Sequence, residues 1–167
     1  MTSFLVTNGT MPDRLEEMVE RGIAPTNLYL SLYGPDEQTY QNVTHPLVAH
    51  VWDRIQASLE LMQAFKHSRT IARLTLVKGQ NMHRPDSYSR LVTKGGPAVI
   101  ELKGYSWLGE SRLRLPISAM PYQSEIREFA RQLKKATGYA PVAEDVVSRV
   151  ILLTREGSTT GLSLDLL

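Results

Sequence analysis

Apolar and polar positions along this chain repeat with two different periods, and the switches between them divide it into short strands and longer helices. Phe4 to Thr10, FLVTNGT, is a short apolar run that ends at once in polar turn residues, as a buried strand feeding a loop does. Pro12 and Asp13 open a helix with Leu15, Met18 and Val19 at helical spacing, and Gly22 stops it. From Asn27 to Gly34 the alternation is strict: Leu28, Leu30 and Leu32 take one face and Tyr29, Ser31 and Tyr33 the other, until Gly34-Pro35-Asp36 ends the strand. The region from Asp36 to Pro46 reads as turn-rich, and then Val48, Val51, Trp52, Ile55, Leu59, Met62 and Phe65 mark a long amphipathic helix. A strand over 70–77, a helix over about 86–94 stopped by Gly95-Gly96-Pro97, a strand over 98–103, a helix over 124–137 and a closing strand over 149–153 complete the pattern. The stretch 156–167 is weakly specified and reads as a disordered tail, leaving one domain over 1–155.

Alternation of strand and helix along the whole chain predicts an α/β fold with an open, mostly parallel sheet of about five strands and right-handed crossovers. The polar residues of the central strands share one phase: Arg73 and Thr75 oppose Leu74 and Leu76, and Glu101 and Lys103 oppose Ile100 and Leu102. If helices cover the leucine face, these charges point into an enclosed interior. Glu101 then needs Lys103, Arg73 or Lys78 beside it, because an isolated buried ion costs several kcal/mol. A half-exposed antiparallel sheet with solvated charges accounts for the same alternation. In a parallel sheet, ligand-binding groups gather beyond the carboxyl ends of the strands, where Thr7 to Thr10, Ser31 to Gly34, Lys78 to Asn81 and Lys103 to Trp107 fall. Each of these loops also has a plain reading as an ordinary turn.

Composition narrows the chemistry. The 167 residues include no cysteine, so the chain carries no thiolate ligand for an iron–sulfur cluster and no disulfide. No run approaches the length of a membrane span, and residues 1–10 lack a secretion signal's basic start and apolar core, which together point to the cytoplasm. The net charge of +2 is mild and compatible with an RNA partner. Between Gly104 and Arg114, Tyr105, Trp107, Glu110, Ser111, Arg112 and Arg114 form a mixture suited to base stacking and phosphate pairing, or to a long solvated loop. His45 and His50 are five apart, unlike a helix-borne metal pair, and read as structural or surface residues.

The blocks FLVTNGTMP, LYLSLYGPDEQTY, RLTLVKGQNM and IELKGYSWLGESR, followed by MPYQSEIREFA, resemble successive strand-end segments of the radical S-adenosylmethionine enzymes of wybutosine biosynthesis, the 4-demethylwyosine synthases. The resemblance runs from about Phe4 to Leu153. It implies the C-terminal part of an open (β/α)6 barrel in an enzyme that builds a tricyclic base on N1-methylguanosine of phenylalanine tRNA, with pyruvate as carbon source. It also implies a 4Fe-4S cluster held by CxxxCxxC, which this chain does not contain; the match begins at the family's third strand. The expectation is therefore a fragment, or a chain completed by a cysteine-bearing front-half partner and unable alone to cleave S-adenosylmethionine.

Carried over by position, the resemblance implies that Thr7 and Asn8 approach the methionine part or ribose of S-adenosylmethionine, that Ser31 lies near its carboxylate or ribose, and that Thr75, Val77 and Asn81 lie along the adenine. Lys78, Lys103, Tyr105, Trp107, Arg112 and Arg114 are expected to face the tRNA. Two other readings stand beside it: an RNA-binding module without chemistry, and an inert half-barrel.

Overall fold

A computed structural model describes residues 2–155; the stretch 156–167, expected to be a tail, lies outside the described residues. The elements are β1 (Phe4–Thr7), α1 (Pro12–Glu20), β2 (Asn27–Leu32), α2 (Glu37–Thr44), α3 (Val51–Leu61), β3 (Arg69–Leu76), α4 (Pro85–Gly95), β4 (Val99–Gly104), α5 (Gln123–Thr137), β5 (Tyr139–Asp145) and β6 (Val150–Arg155). They build one six-stranded sheet in the order β1-β2-β3-β4-β6-β5. Neighbours from β1 to β4 run parallel, whereas β6 lies antiparallel to both β4 and β5.

The leucine phase faces the helices, as the alternation demands. Leu30, Leu32, Leu74, Leu76, Ile100 and Leu102 join Ile55 and Leu59 of α3, Tyr88 of α4 and Phe129 and Leu133 of α5 in one buried cluster. Leu15 of α1 packs on Leu28 and Phe65 in a smaller one. The other face has a dry floor of Tyr29, Ile71, Val99, Val150 and Leu152. The next row toward the carboxyl ends holds Ser31, Arg73 and Glu101, lateral neighbours in the ladder, and Thr75 then lies beside Lys103.

Glu101 is 4% exposed. Its charge is met by Arg73, whose Nε stands 2.8 Å from Oε1 and whose Nη2 donates to Oε2 at 3.2 Å. The Arg73 guanidinium lies 4.6 Å over the Tyr29 ring, so its flat face is covered as well. Arg73 and Glu101 are thus charge-paired on a face buried from β2 to β4, and the solvated antiparallel alternative does not apply to β1 to β4.

Four expectations need correction. The sheet has six strands, not five, because Tyr139–Asp145 forms an edge strand whose Pro141 and acidic end lack a strand signature. The chain consequently closes with an antiparallel hairpin, and Arg149, expected to begin the last strand, sits in its turn at φ 53°. Within the region read as turn-rich, Glu37–Thr44 is helical without an apolar stripe; Asp36 caps it by accepting from the Thr39 N–H at 2.9 Å. The long helix expected from Val48 starts only at Val51, after His50 at φ 52°, and ends in a 3-10 turn over Met62–Ala64.

Candidate functional site

At the carboxyl ends of β1 to β4 the sheet opens into a cleft of about 580 Å3. Asn8 and Thr10 after β1, Tyr33 after β2, Thr75 and Val77 at the end of β3, and Tyr105 after β4 line its base and sides. Segment 42–48 and Val51 form one wall, and Arg114 and Leu115 close the other. The exits of β1 and β2 depend on glycine. A side chain at Gly34 would place Cβ 2.5 Å from the backbone nitrogen of Tyr40, so only glycine lets the chain tuck beneath α2. Gly9 has φ 73°, a Cβ there would meet Leu30 at 2.7 Å, and its carbonyl accepts from Ser58 of α3 at 2.8 Å.

The ladder between β2 and β3 ends at Leu32 and Leu74. Beyond it the two strand ends are bridged by the side chain of Asn81, which is fully buried. Its Nδ2 donates to the carbonyls of Tyr33 (2.9 Å) and Thr75 (2.8 Å), and its Oδ1 accepts from the Val77 N–H at 2.7 Å. Both amide donors are thereby used, so Asn81, expected along the adenine, has no side-chain hydrogen left to give a ligand.

Of the other expected cofactor residues, Asn8, Thr75 and Val77 line the cleft. Asn8 holds its loop by accepting from the N–H and hydroxyl of Thr10 at 3.1 and 2.9 Å. Thr7 lies in register with Leu30, on the helix-facing phase, and its hydroxyl accepts from the Gly9 N–H at 3.1 Å. Ser31 is 5% exposed in the Arg73–Glu101 row, below the cleft.

The expected RNA-facing residues separate in the same way. Tyr105 is buried and donates to Ser111 at 2.8 Å; Trp107 donates to the Leu115 carbonyl at 2.8 Å. Arg112 covers the Trp107 ring at 4.9 Å and donates to its carbonyl at 3.1 Å. The loop, which by sequence suited either base stacking or a long solvated excursion, is folded on its own aromatics around a 3-10 turn at Gly109–Leu113. Arg112 and Arg114 are exposed, and Lys103 is half-buried beside Thr75. Lys78 pairs with Glu125 at 2.7 Å; its hydrogen bond, with one from the Tyr122 N–H, holds the Glu125 carboxyl below its usual range. Tyr40, Val43 and Val48 are cleft residues that sequence reasoning missed, and Tyr33 was placed at the rim only as part of the 31–34 loop. Tyr33 carried a usable signal, the inward phase it shares with Tyr29.

The cleft volume falls in the small-molecule range, and its aromatic and aliphatic walls with a few polar groups suit a nucleoside carrying a polar arm. They do not suit a cluster: the sequence has no cysteine, and no group of three or more His, Asp or Glu among the described residues could hold a metal.

The family described as wyosine base formation matches residues 94–155. The S-adenosyl-L-methionine-dependent tRNA 4-demethylwyosine synthase of Pyrococcus abyssi is 47% identical over 156 residues, 93% of this chain and 45% of that protein. The chain belongs to the 4-demethylwyosine synthase family. A human synthase of this family is 35% identical over 80% of the chain, which spans 18% of that protein. The chain thus spans less than half the length of the curated synthases it matches.

Solved synthase structures agree. The structure of TYW1 with a lysine–pyruvate adduct bound superposes with a TM-score of 0.79 at 29% identity, covering 95% of this chain and 48% of that one. An archaeal TYW1 gives 0.74 at 28%, covering 96% and 48%. Coproporphyrinogen III oxidase from Escherichia coli, a radical SAM enzyme, gives 0.58 at 13%, a likeness of fold alone. The six-stranded sheet thus has the fold of the matching portion of the solved synthases and resembles that of a radical SAM enzyme.

Proposed function

We propose that this chain is the substrate-facing part of a radical S-adenosylmethionine enzyme that converts N1-methylguanosine in phenylalanine tRNA into the tricyclic 4-demethylwyosine base, with pyruvate as the second substrate. The observation that carries this reading is the cleft at the carboxyl rim, in a chain 47% identical to a tRNA 4-demethylwyosine synthase. Asn8, Thr75 and the backbone around Val77 hold the nucleoside part of the cofactor, with Tyr33 and Val77 as apolar plates. Arg112 and Arg114, exposed beside the opening, meet the tRNA backbone. When bound at a 4Fe-4S cluster, S-adenosylmethionine supplies the hydrogen-abstracting radical. The cluster needs cysteines from outside this sequence, so a cysteine-bearing front half completes the enzyme, in the cytoplasm. Its strand covers the open edge of β1, where Phe4 and Val6 are 53% and 54% exposed. The non-catalytic RNA-binding reading is disfavoured by the inward packing of Tyr105 and Trp107.

The test is complementation. The chain is combined anaerobically with a cysteine-bearing front half, the cluster is reconstituted, and 5′-deoxyadenosine and the tricyclic base are measured on N1-methylguanosine tRNA. Product should form only from the mixture and should fall about tenfold with Asn8→Ala. A folded, cluster-loaded mixture that makes neither product overturns the reading.

A further inference from the structure

Asn81 sits where two neighbouring parallel strands part company. The β2–β3 ladder stops at Leu32 and Leu74, so the carbonyls of Tyr33 and Thr75 lose their strand partners just where both residues begin to line the cleft. A buried carbonyl left bare is costly. The Asn81 amide satisfies both, and its oxygen takes the Val77 N–H, so three backbone groups of the cleft are referred to one rigid, fully buried side chain.

That side chain is itself held. The Asn81 N–H donates to the Val77 carbonyl at 3.2 Å, closing a turn with it, and the Tyr88 hydroxyl donates to the Asn81 carbonyl at 3.1 Å. Tyr88 is fully buried against Phe129, ring centroids 5.8 Å apart, and burial raises its pKa far enough to keep the hydroxyl a donor at any ordinary pH. A chain of contacts therefore runs from the α4–α5 interface through Tyr88 and Asn81 to Tyr33, Thr75 and Val77.

We infer that Asn81 is a positioning residue: without touching the ligand it fixes the separation of the β2 and β3 ends, and so sets the affinity of the cleft for the nucleoside part of S-adenosylmethionine, with Tyr88 holding it in place. This rests on the cofactor-binding reading of the cleft proposed above. Asparagine is specified because the site needs two donors and one acceptor in one plane. An aspartate in its place would face two carbonyls with no donor, which is why Asn81→Asp, nearly identical in shape, is the informative change.

The experiment measures S-adenosylmethionine affinity by calorimetry on the chain assembled with its cysteine-bearing front half, alongside kcat, KM and denaturation midpoints. Asn81→Asp should raise Kd and KM about tenfold with kcat changed less than about twofold, and Tyr88→Phe should raise Kd about threefold. Ser89→Ala is the control for lost stability, since it removes a 2.6 Å bond from α4 to the Ala136 carbonyl at the end of α5; its Kd should match the unsubstituted protein. Equal affinity across all four proteins overturns the inference and leaves the proposed function standing. If Asn81→Asp does not fold, Tyr88→Phe decides alone, and an unchanged Kd there overturns it. Failure of the unsubstituted assembly to bind S-adenosylmethionine overturns the cofactor reading and this inference together.

Discussion

The two edges of the sheet are built in opposite ways. Strand β1 has neither a charge nor a proline, and its inward residues Phe4 and Val6 remain 53% and 54% exposed. One and two strands further in, Tyr29 and Ile71 on the same face are 7% and 2% exposed. Strand β5 carries Pro141, a register shift between Pro141 and Ala143, and an acidic end at Glu144 and Asp145. These are the devices by which a sheet refuses further pairing. The difference teaches that the β5 side is a finished edge, whereas the floor of the sheet breaks off at β1 with apolar groups still uncovered, in accord with the covering strand proposed for the complete enzyme.

The largest expected effect lies between the two edges, in the charged pair of the row next to that floor. Arg73→Leu leaves the buried Glu101 carboxylate unpaired, and denaturant unfolding should show a loss of about 3 kcal/mol. Adding Glu101→Leu to it should recover most of that, because two packed leucines need no counter-charge. Next in size is the edge itself. Phe4→Lys with Val6→Lys should weaken assembly with the cysteine-bearing half about a hundredfold, the equivalent of burying one or two apolar side chains, while Val142→Lys on β5 should change it less than about twofold. Sedimentation across a concentration series reads both, and equal effects at the two edges would sink the comparison.

The smallest effect concerns acid. Burial pushes the Asp36 carboxyl up, but hydrogen bonds from Thr39 and Arg84 outweigh it and hold the carboxyl below its usual range. A carboxyl with a lowered folded value stabilises the protein above its unfolded pKa and loses that contribution as pH falls through the folded one. Asp36→Ala should therefore cost about 1 kcal/mol at neutral pH and little at pH 2, flattening the acid limb of a melting curve. Asp145, at the end of β5, is also lowered, chiefly by hydrogen bonds from Ser148. Its replacement by asparagine should lower the midpoint less than Asp36→Ala does, because solvent screens its carboxylate.

What could be read in advance followed burial. Strands β1 to β4 and helices α1, α4 and α5 were legible because each presents one apolar phase of fixed period, and the resemblance of the strand-end blocks supplied the family. Helix α2 was illegible because it anchors itself in the core mainly through one side chain, Tyr40, behind an Asp36 cap, and so shows no repeating apolar phase, and β5 because an edge strand is free to carry proline and charge. The site divided along the same line. Asn8, Thr75, Val77 and Tyr105 reach the cleft as their strand-end positions require, but Trp107 and Asn81 have the same polar or aromatic character and are turned to backbone carbonyls.

The sequence by itself determined that Arg73 and Glu101 lie on the face opposite the leucines, since a period of two admits no other placement; that this face is buried in a parallel sheet was decided by the tertiary structure. Only the tertiary structure decided the reversal of β6 within the sheet, the inward packing of the 105–115 loop and the use of the Asn81 amide. Those outcomes depend on which backbone carbonyls remain unpaired when separate strands end, and no local pattern records that.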